Sequence, residues 1–122
     1  MELPSEAMAV YRATMMQRQE REQRALYERR EQAWQVAQQA ATLLKEEFGA
    51  TQVVLFGSLI HGHWFSKTSD IDLAAWGLKD EAYFIVVARL QDLSPEFKVD
   101  LVAMEHCPST LHETILKEGK RL

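Results

Sequence analysis

The sequence predicts an α/β protein of the α+β kind, in which one long N-terminal helix leads into a small mixed sheet flanked by helices. Three observations carry that reading. Neither Gly nor Pro occurs between Pro4 and Gly49, so nothing interrupts a helix over that stretch. Beyond Gly49, short apolar runs rich in β-formers alternate with runs of helical spacing. Two of those apolar runs carry acids, Asp70 with Asp72 in one and Asp100 in the other, where a carboxylate is costly unless something uses it.

Taken in order, Pro4-Ser5-Glu6 reads as a helix start and Gly49 as its C-terminal stop. Uninterrupted, the helix is about 43 residues and on the order of 65 Å long at roughly 1.5 Å per residue, longer than so small a domain is wide. Its last part, with Trp34, Val36, Ala37, Ala40, Ala41, Leu44 and Phe48, has the apolar spacing of a helix packed on a sheet. Residues 17–32 are mostly Gln, Glu and Arg, with Arg18/Glu22, Glu20/Arg24 and Arg24/Glu28 at i,i+4 spacing, the pattern of a solvated helix. Met8, Tyr11, Met15, Leu26 and Tyr27 form a sparse apolar strip that would suit a partner or a second copy of the chain. The expected division is therefore a helical element over 1–49, serving partner or dimer contact, and a compact domain over 50–122.

Within that domain Gln52–Phe56 reads as a strand, 58–61 as a turn and 70–76 as a second strand ended by Gly77. Residues 79–91 suit a helix through Ala82, Phe84, Ile85, Val87, Ala88 and Leu90, although 83–87 is also rich in β-formers. Ser94-Pro95 breaks the chain, 97–104 reads as a third strand, and Ser109–Glu118 as a closing helix before Gly119.

With 122 residues the chain suits one domain. Its net charge of −4 argues against direct nucleic-acid binding over a broad surface. The single cysteine, Cys107, has no companion for a disulfide or a Cys-based zinc site, which fits a reducing cytoplasm. The first residues lack the basic start and apolar run of a signal peptide, and no stretch approaches the ~18 apolar residues of a membrane span. No membrane association is expected.

The chemistry centres on three features. Gly57-Ser58 ends a strand, where Gly admits close backbone approach and amides with a hydroxyl can hold phosphate oxygens. Asp70 and Asp72 alternate with Ile71 and Leu73, so the two acids leave one face and the two apolar side chains the other. Asp100 lies between Val99 and Leu101 in a further apolar run. Carboxylates gathered at the rim of an apolar sheet repel one another unless a cation sits among them, and Mg²⁺ is the usual one where phosphates are handled.

Leu55-Phe56-Gly57-Ser58, Ser69-Asp70-Ile71-Asp72-Leu73 and Val99-Asp100-Leu101-Val102 together resemble the DNA polymerase β-like nucleotidyltransferase superfamily, and within it the minimal nucleotidyltransferases, or MNT domains. The resemblance covers roughly residues 50–122 and leaves the long helix as an accessory. It implies a sheet of the polymerase β nucleotidyltransferase type, Gly57 and Ser58 on a triphosphate, Asp70 and Asp72 holding two Mg²⁺ ions, and Asp100 completing the metal nearer the attacking hydroxyl and helping to deprotonate it. Chains of this kind resemble the antitoxins of HEPN/MNT toxin–antitoxin modules. The implied activity is transfer of AMP from ATP to a tyrosine hydroxyl of a HEPN-domain ribonuclease toxin. Two other readings stand beside it: an antitoxin that neutralises by binding alone, and nucleotidylation of a small hydroxylated molecule.

The chain departs from the family pattern in two ways. Eleven residues, 59–69, separate Ser58 from Asp70, one more than the family's usual spacing. Small family members commonly carry basic residues just after Gly-Ser; Leu59 and His61 stand there instead, leaving His61, His63 and Lys67 as nearby cationic candidates for the nucleotide. His61-Gly62-His63 lacks further ligands for zinc. Trp64 and Trp76 read as packing residues, with a base stack by Trp64 as the alternative, and Cys107 reads as structural because no base stands beside it.

Overall fold

The computed structural model describes residues 5–62 and 65–122. Helix α1 (Ser5–Phe48) is followed by strands β1 (Gln52–Phe56) and β2 (Ile71–Trp76), helix α2 (Tyr83–Gln91), strand β3 (Val99–Ala103), helix α3 (Ser109–Glu118) and a two-residue strand β4 (Lys120–Arg121). Single 3₁₀ turns, Asp80–Ala82 and Met104–His106, precede α2 and α3. The sheet order is β3-β2-β1-β4, with β1 antiparallel to both neighbours and β2 parallel to β3. The parallel pair needs a crossover, which α2 supplies.

α1 is continuous over 44 residues, as the absence of helix breakers predicts. Only its C-terminal part joins the core. Ala33, Val36, Ala37, Ala40, Ala41 and Leu44 are buried, and four alanines in that stripe let the helix backbone approach the sheet closely. The helix stops at Gly49, whose φ of 73° suits a residue without Cβ, and the Ala50 amide returns to the Leu44 carbonyl at 2.9 Å. Residues 5–25 are exposed apart from half-buried Met8.

Two apolar clusters cover the two faces of the sheet. On one face Val53, Leu55, Ile71, Leu73, Val99 and Leu101 pack with α1, and with Val86 and Leu90 of α2. On the other, Val54 and Ala74 pack with Met104 and with Ile115 of α3. Among the described residues no helix is long and apolar enough to cross a membrane.

Several boundaries differ from the sequence expectation, beginning with the second strand, which starts at Ile71 rather than at 70. The first turn expected for the 79–91 helix is 3₁₀, and the β-formers at 83–87 are helical because Val86 and Leu90 fall on one buried face. The third strand is shorter than 97–104: Phe97 is buried ahead of it, and Met104 opens the next turn. Strand β4 was not expected, since Lys120-Arg121 has no apolar alternation. Its pairing is created by its setting: Gly119 lies where a Cβ would strike Val54 and the Ile115 carbonyl, and the Leu122 amide bonds the Val53 carbonyl at 2.9 Å.

Leu44 is fully buried at the junction of α1 and the sheet. Leu44→Ala is expected to cost about 3 kcal/mol, lowering Tm by roughly 10 °C. Thermal unfolding followed by circular dichroism would show it, and an unchanged Tm would contradict the docking of α1.

Candidate active site

β1 ends where β2 and β3 begin, and the candidate residues meet at that end of the sheet. In the antiparallel register Phe56 lies opposite Asp72, which brings Gly57 beside the carboxylate. A Cβ on Gly57 would overlap Asp72 Oδ2, and its φ is 80°. The position therefore demands glycine both for its backbone and for the side chain it faces. The Ile60 amide closes the following turn onto the Gly57 carbonyl at 3.2 Å, with Ser58 half-buried within it.

On the other side of Asp72 the parallel register pairs it directly with Asp100. Asp70 stands just before the first ladder residue of β2, where the Ile71 amide bonds the Lys98 carbonyl at 2.9 Å. Asp72 and Asp100 thus share the face that carries Ala74 and α3, while Ile71 and Leu73 point into the larger core. Burial, then Asp100, then Asp70 push the Asp72 carboxyl up from the ordinary 3.8 to about 6, against the opposite pull of Lys98. The Lys98 ammonium lies 3.5 Å from Asp100 Oδ1. It sits two residues before Asp100, so the same alternation that pairs Asp70 with Asp72 would have found it, but the sequence reading passed over it.

The three acids are neighbours by register rather than a preformed cage: among the described residues, no three His, Cys, Asp or Glu side chains are gathered to hold a metal ion. The donor set nonetheless fits Mg²⁺. It consists of hard carboxylate oxygens whose mutual repulsion a divalent cation would relieve, and Lys98 is exposed enough to give way.

Leu59 is fully buried, so the position after Gly-Ser anchors the loop joining β1 to β2 in the core. His61 Nε2 lies 3.3 Å from Glu118 Oε2 at the end of α3. His63 and Trp64 lie outside the described residues. The Ser66 amide bonds Ser69 Oγ at 2.8 Å in the turn leading to Asp70. Lys67, exposed in that turn, lines a groove against α1. Trp76 packs edge-on to His112, and Cys107 packs beside the second core cluster.

Between the ordinary carboxylate value and about pH 6 the folded chain holds a proton on Asp72 that the unfolded chain has released, so this residue lowers stability as pH rises through that window. Asp72→Asn removes the penalty. It should raise Tm at about pH 8 by roughly 3 °C, on the order of 1 kcal/mol after solvent screening, and the gain should vanish near pH 4. Melting curves at the two pH values test this, and a loss of stability at both would refute the assignment.

Comparison with known proteins places this geometry in a family. The model for polymerase β nucleotidyltransferases matches residues 38–122. By sequence alone, no curated protein matches the chain. Among solved structures, a toxin–antitoxin crystallised with AMP-PNP matches with TM-score 0.60 at 25% identity, covering 70% of each chain. A Shewanella oneidensis complex of tri-AMPylated HEPN toxin with MNT antitoxin matches with TM-score 0.56 at 22% identity, over 73% of this chain and 70% of the other. The MntA–HepT toxin–antitoxin matches with TM-score 0.55 at 22% identity, over 72% and 69%. The family match spans the sheet, the glycine turn and all three acids, and the chain belongs to the polymerase β nucleotidyltransferase family.

Proposed function

We propose that this chain is a protein adenylyltransferase antitoxin, transferring AMP from ATP to a tyrosine hydroxyl of a HEPN-type ribonuclease toxin with two Mg²⁺ ions at the acids. The observation that carries the reading is the openness of the acidic face. Asp70, Asp72 and Asp100 are each only partly buried at that end of the sheet. A partly exposed acidic face is accessible to a protein that presents its own side chain as the acceptor. The relatives support it: one comes from a toxin–antitoxin crystallised with AMP-PNP, and in another the HEPN toxin is tri-AMPylated.

In this reading the main-chain amides of Gly57 and Ser58 and the Ser58 hydroxyl hold triphosphate oxygens. Lys67 adds positive charge on the same loop. Asp70, Asp72 and Asp100 are the residues that would hold Mg²⁺, which when bound neutralises their repulsion and polarises the phosphoryl oxygens. The acceptor oxygen bonds to the α-phosphorus as the bond to the bridging oxygen breaks, releasing pyrophosphate, and Asp100 takes the acceptor's proton. The N-terminal part of α1 serves as the partner contact or as a contact between two copies, and the compact domain does the chemistry.

Neutralisation by binding alone is the second reading. It is favoured by the burial of Leu59 and the engagement of His61 with Glu118, which leave no free basic side chain among the described residues directly after Gly57, 58–62. Intact-mass spectrometry of a co-expressed HEPN-type partner, after incubation with ATP and Mg²⁺, separates the two. The native chain should add whole AMP units, Asp70→Ala/Asp72→Ala none, and Asp100→Ala should slow addition by at least about 10³-fold. Chelation with EDTA should stop the reaction, and Mg²⁺ should restore it. A stable complex that gains no mass with the native chain would replace the transferase reading with the binding one.

A further inference from the structure

Helix α1 does not end with the domain it packs on. Near its C-terminus Lys45 Nζ donates to the Leu122 carbonyl at 2.6 Å, beside the start of β1. At the opposite end of the sheet, Arg29 Nη2 donates to the Glu96 carbonyl at 3.4 Å, and its guanidinium lies 4.3 Å over Phe97. The Arg30 guanidinium packs against Gly62. Gly62 follows the Gly57-Ser58 turn and Phe97 precedes β3, so this is the end where Asp72 and Asp100 sit. The helix therefore runs antiparallel to β1 and overhangs the acidic end by residues 5–25, about 30 Å at the helical rise.

Beneath the overhang, between α1 and residues 65–67, lies a groove of about 810 Å³. Ala25 and Leu26 give it an apolar floor over the buried Phe65, and Arg18, Arg21, Arg29 and Lys67 surround it against one carboxylate, Glu22. Among the described residues Arg18, Arg21 and Lys67 form no ion pair. In a chain of net charge −4, this is a local inversion of sign around an apolar trough. Along α1 the groove runs from Thr14 to Arg29, about 22 Å, the length of roughly four helical turns.

We propose that this groove docks an amphipathic helix of the protein substrate, apolar side inward and acidic side chains against the arginines, and so delivers the acceptor to the acidic end of the sheet. The inference rests on the reading of the acceptor as a protein. Charge complementarity selects an acidic occupant, and the apolar floor selects a helix with one apolar face. A single-stranded nucleic acid would want exposed aromatic faces for stacking, whereas Phe65 is only 3% exposed. A second copy seated face to face would set Arg18 and Arg21 against their own equivalents. The family model begins at residue 38, so the groove is built largely from a segment outside the match.

The test uses a fluorescent peptide of about 21 residues, built from repeated Glu-Leu-Leu-Glu-Ala-Leu-Glu units, titrated with the full chain in fluorescence anisotropy. Saturable binding is expected at low salt. Arg18→Glu/Arg21→Glu or high salt should weaken it by at least about tenfold, whereas Arg24→Glu, a cation of the same helix outside the groove, should leave it unchanged. With the HEPN-type partner, the double variant should raise KM for the partner at unchanged kcat. Absent binding, or equal binding by the double variant, overturns the proposal. So does an oligouridylate that binds and is lost with the same variant, or a dimer in sedimentation that the variant dissolves. If the peptide behaves as expected but no AMP is ever transferred, the docking groove stands and the transferase reading falls.

Discussion

The parallel register of β2 and β3 is the constraint on which the site depends. It sets Asp72 and Asp100 side by side, on the face of the sheet that also carries Ala74 and packs against α3. Gly57, just past the end of the adjoining strand β1, closes against the Asp72 carboxylate. The fold thus gathers acids around a half-buried carboxylate. This is an expensive arrangement for a structural acid, and its cost falls on the state without a cation. Stability and chemistry are opposed at Asp72, as is common where a site is assembled before its ligand arrives.

The rest of the molecule holds that register in place. The larger core lies on the opposite face, where Ile71, Leu73, Val99 and Leu101 interlock with α1 and α2. Slipping either strand by one residue would turn its acid into this core and expose its apolar partners. Gln91 reinforces the alignment from α2, since its side-chain amide bonds both the carbonyl and the amide of Val99. Tyr83 does the same further along, donating its hydroxyl to the Leu101 carbonyl at 2.7 Å.

Much of this was legible from residues alone because it rests on local periodicity. The uninterrupted helix, the strand that carries Asp72, and the closing helix Ser109–Glu118 all follow from short-range patterns. What was not legible depends on distant chain segments. Arg29 and Arg30 belong to a run that reads as solvated, yet they pack on Phe97 and Gly62, residues far along the sequence. The burial of Leu59 could be seen only once the loop was closed over the core. Lys98 was readable by alternation, but its meaning comes from Asp100 lying next to Asp72, a pairing between strands that no single segment encodes.

The two-residue strand β4 has a consequence out of proportion to its length. Without it β1 would be an outer strand, and Gln52-Val53-Val54-Leu55-Phe56 would offer a row of unpaired amides and carbonyls from an apolar, β-prone segment. Such edges recruit other chains into intermolecular sheets. Lys120 and Arg121 occupy the middle of that edge and place two exposed positive charges on its outer side. The last few residues therefore protect the chain from aggregation, a service to the folded protein that is separate from anything done at the acidic end of the sheet.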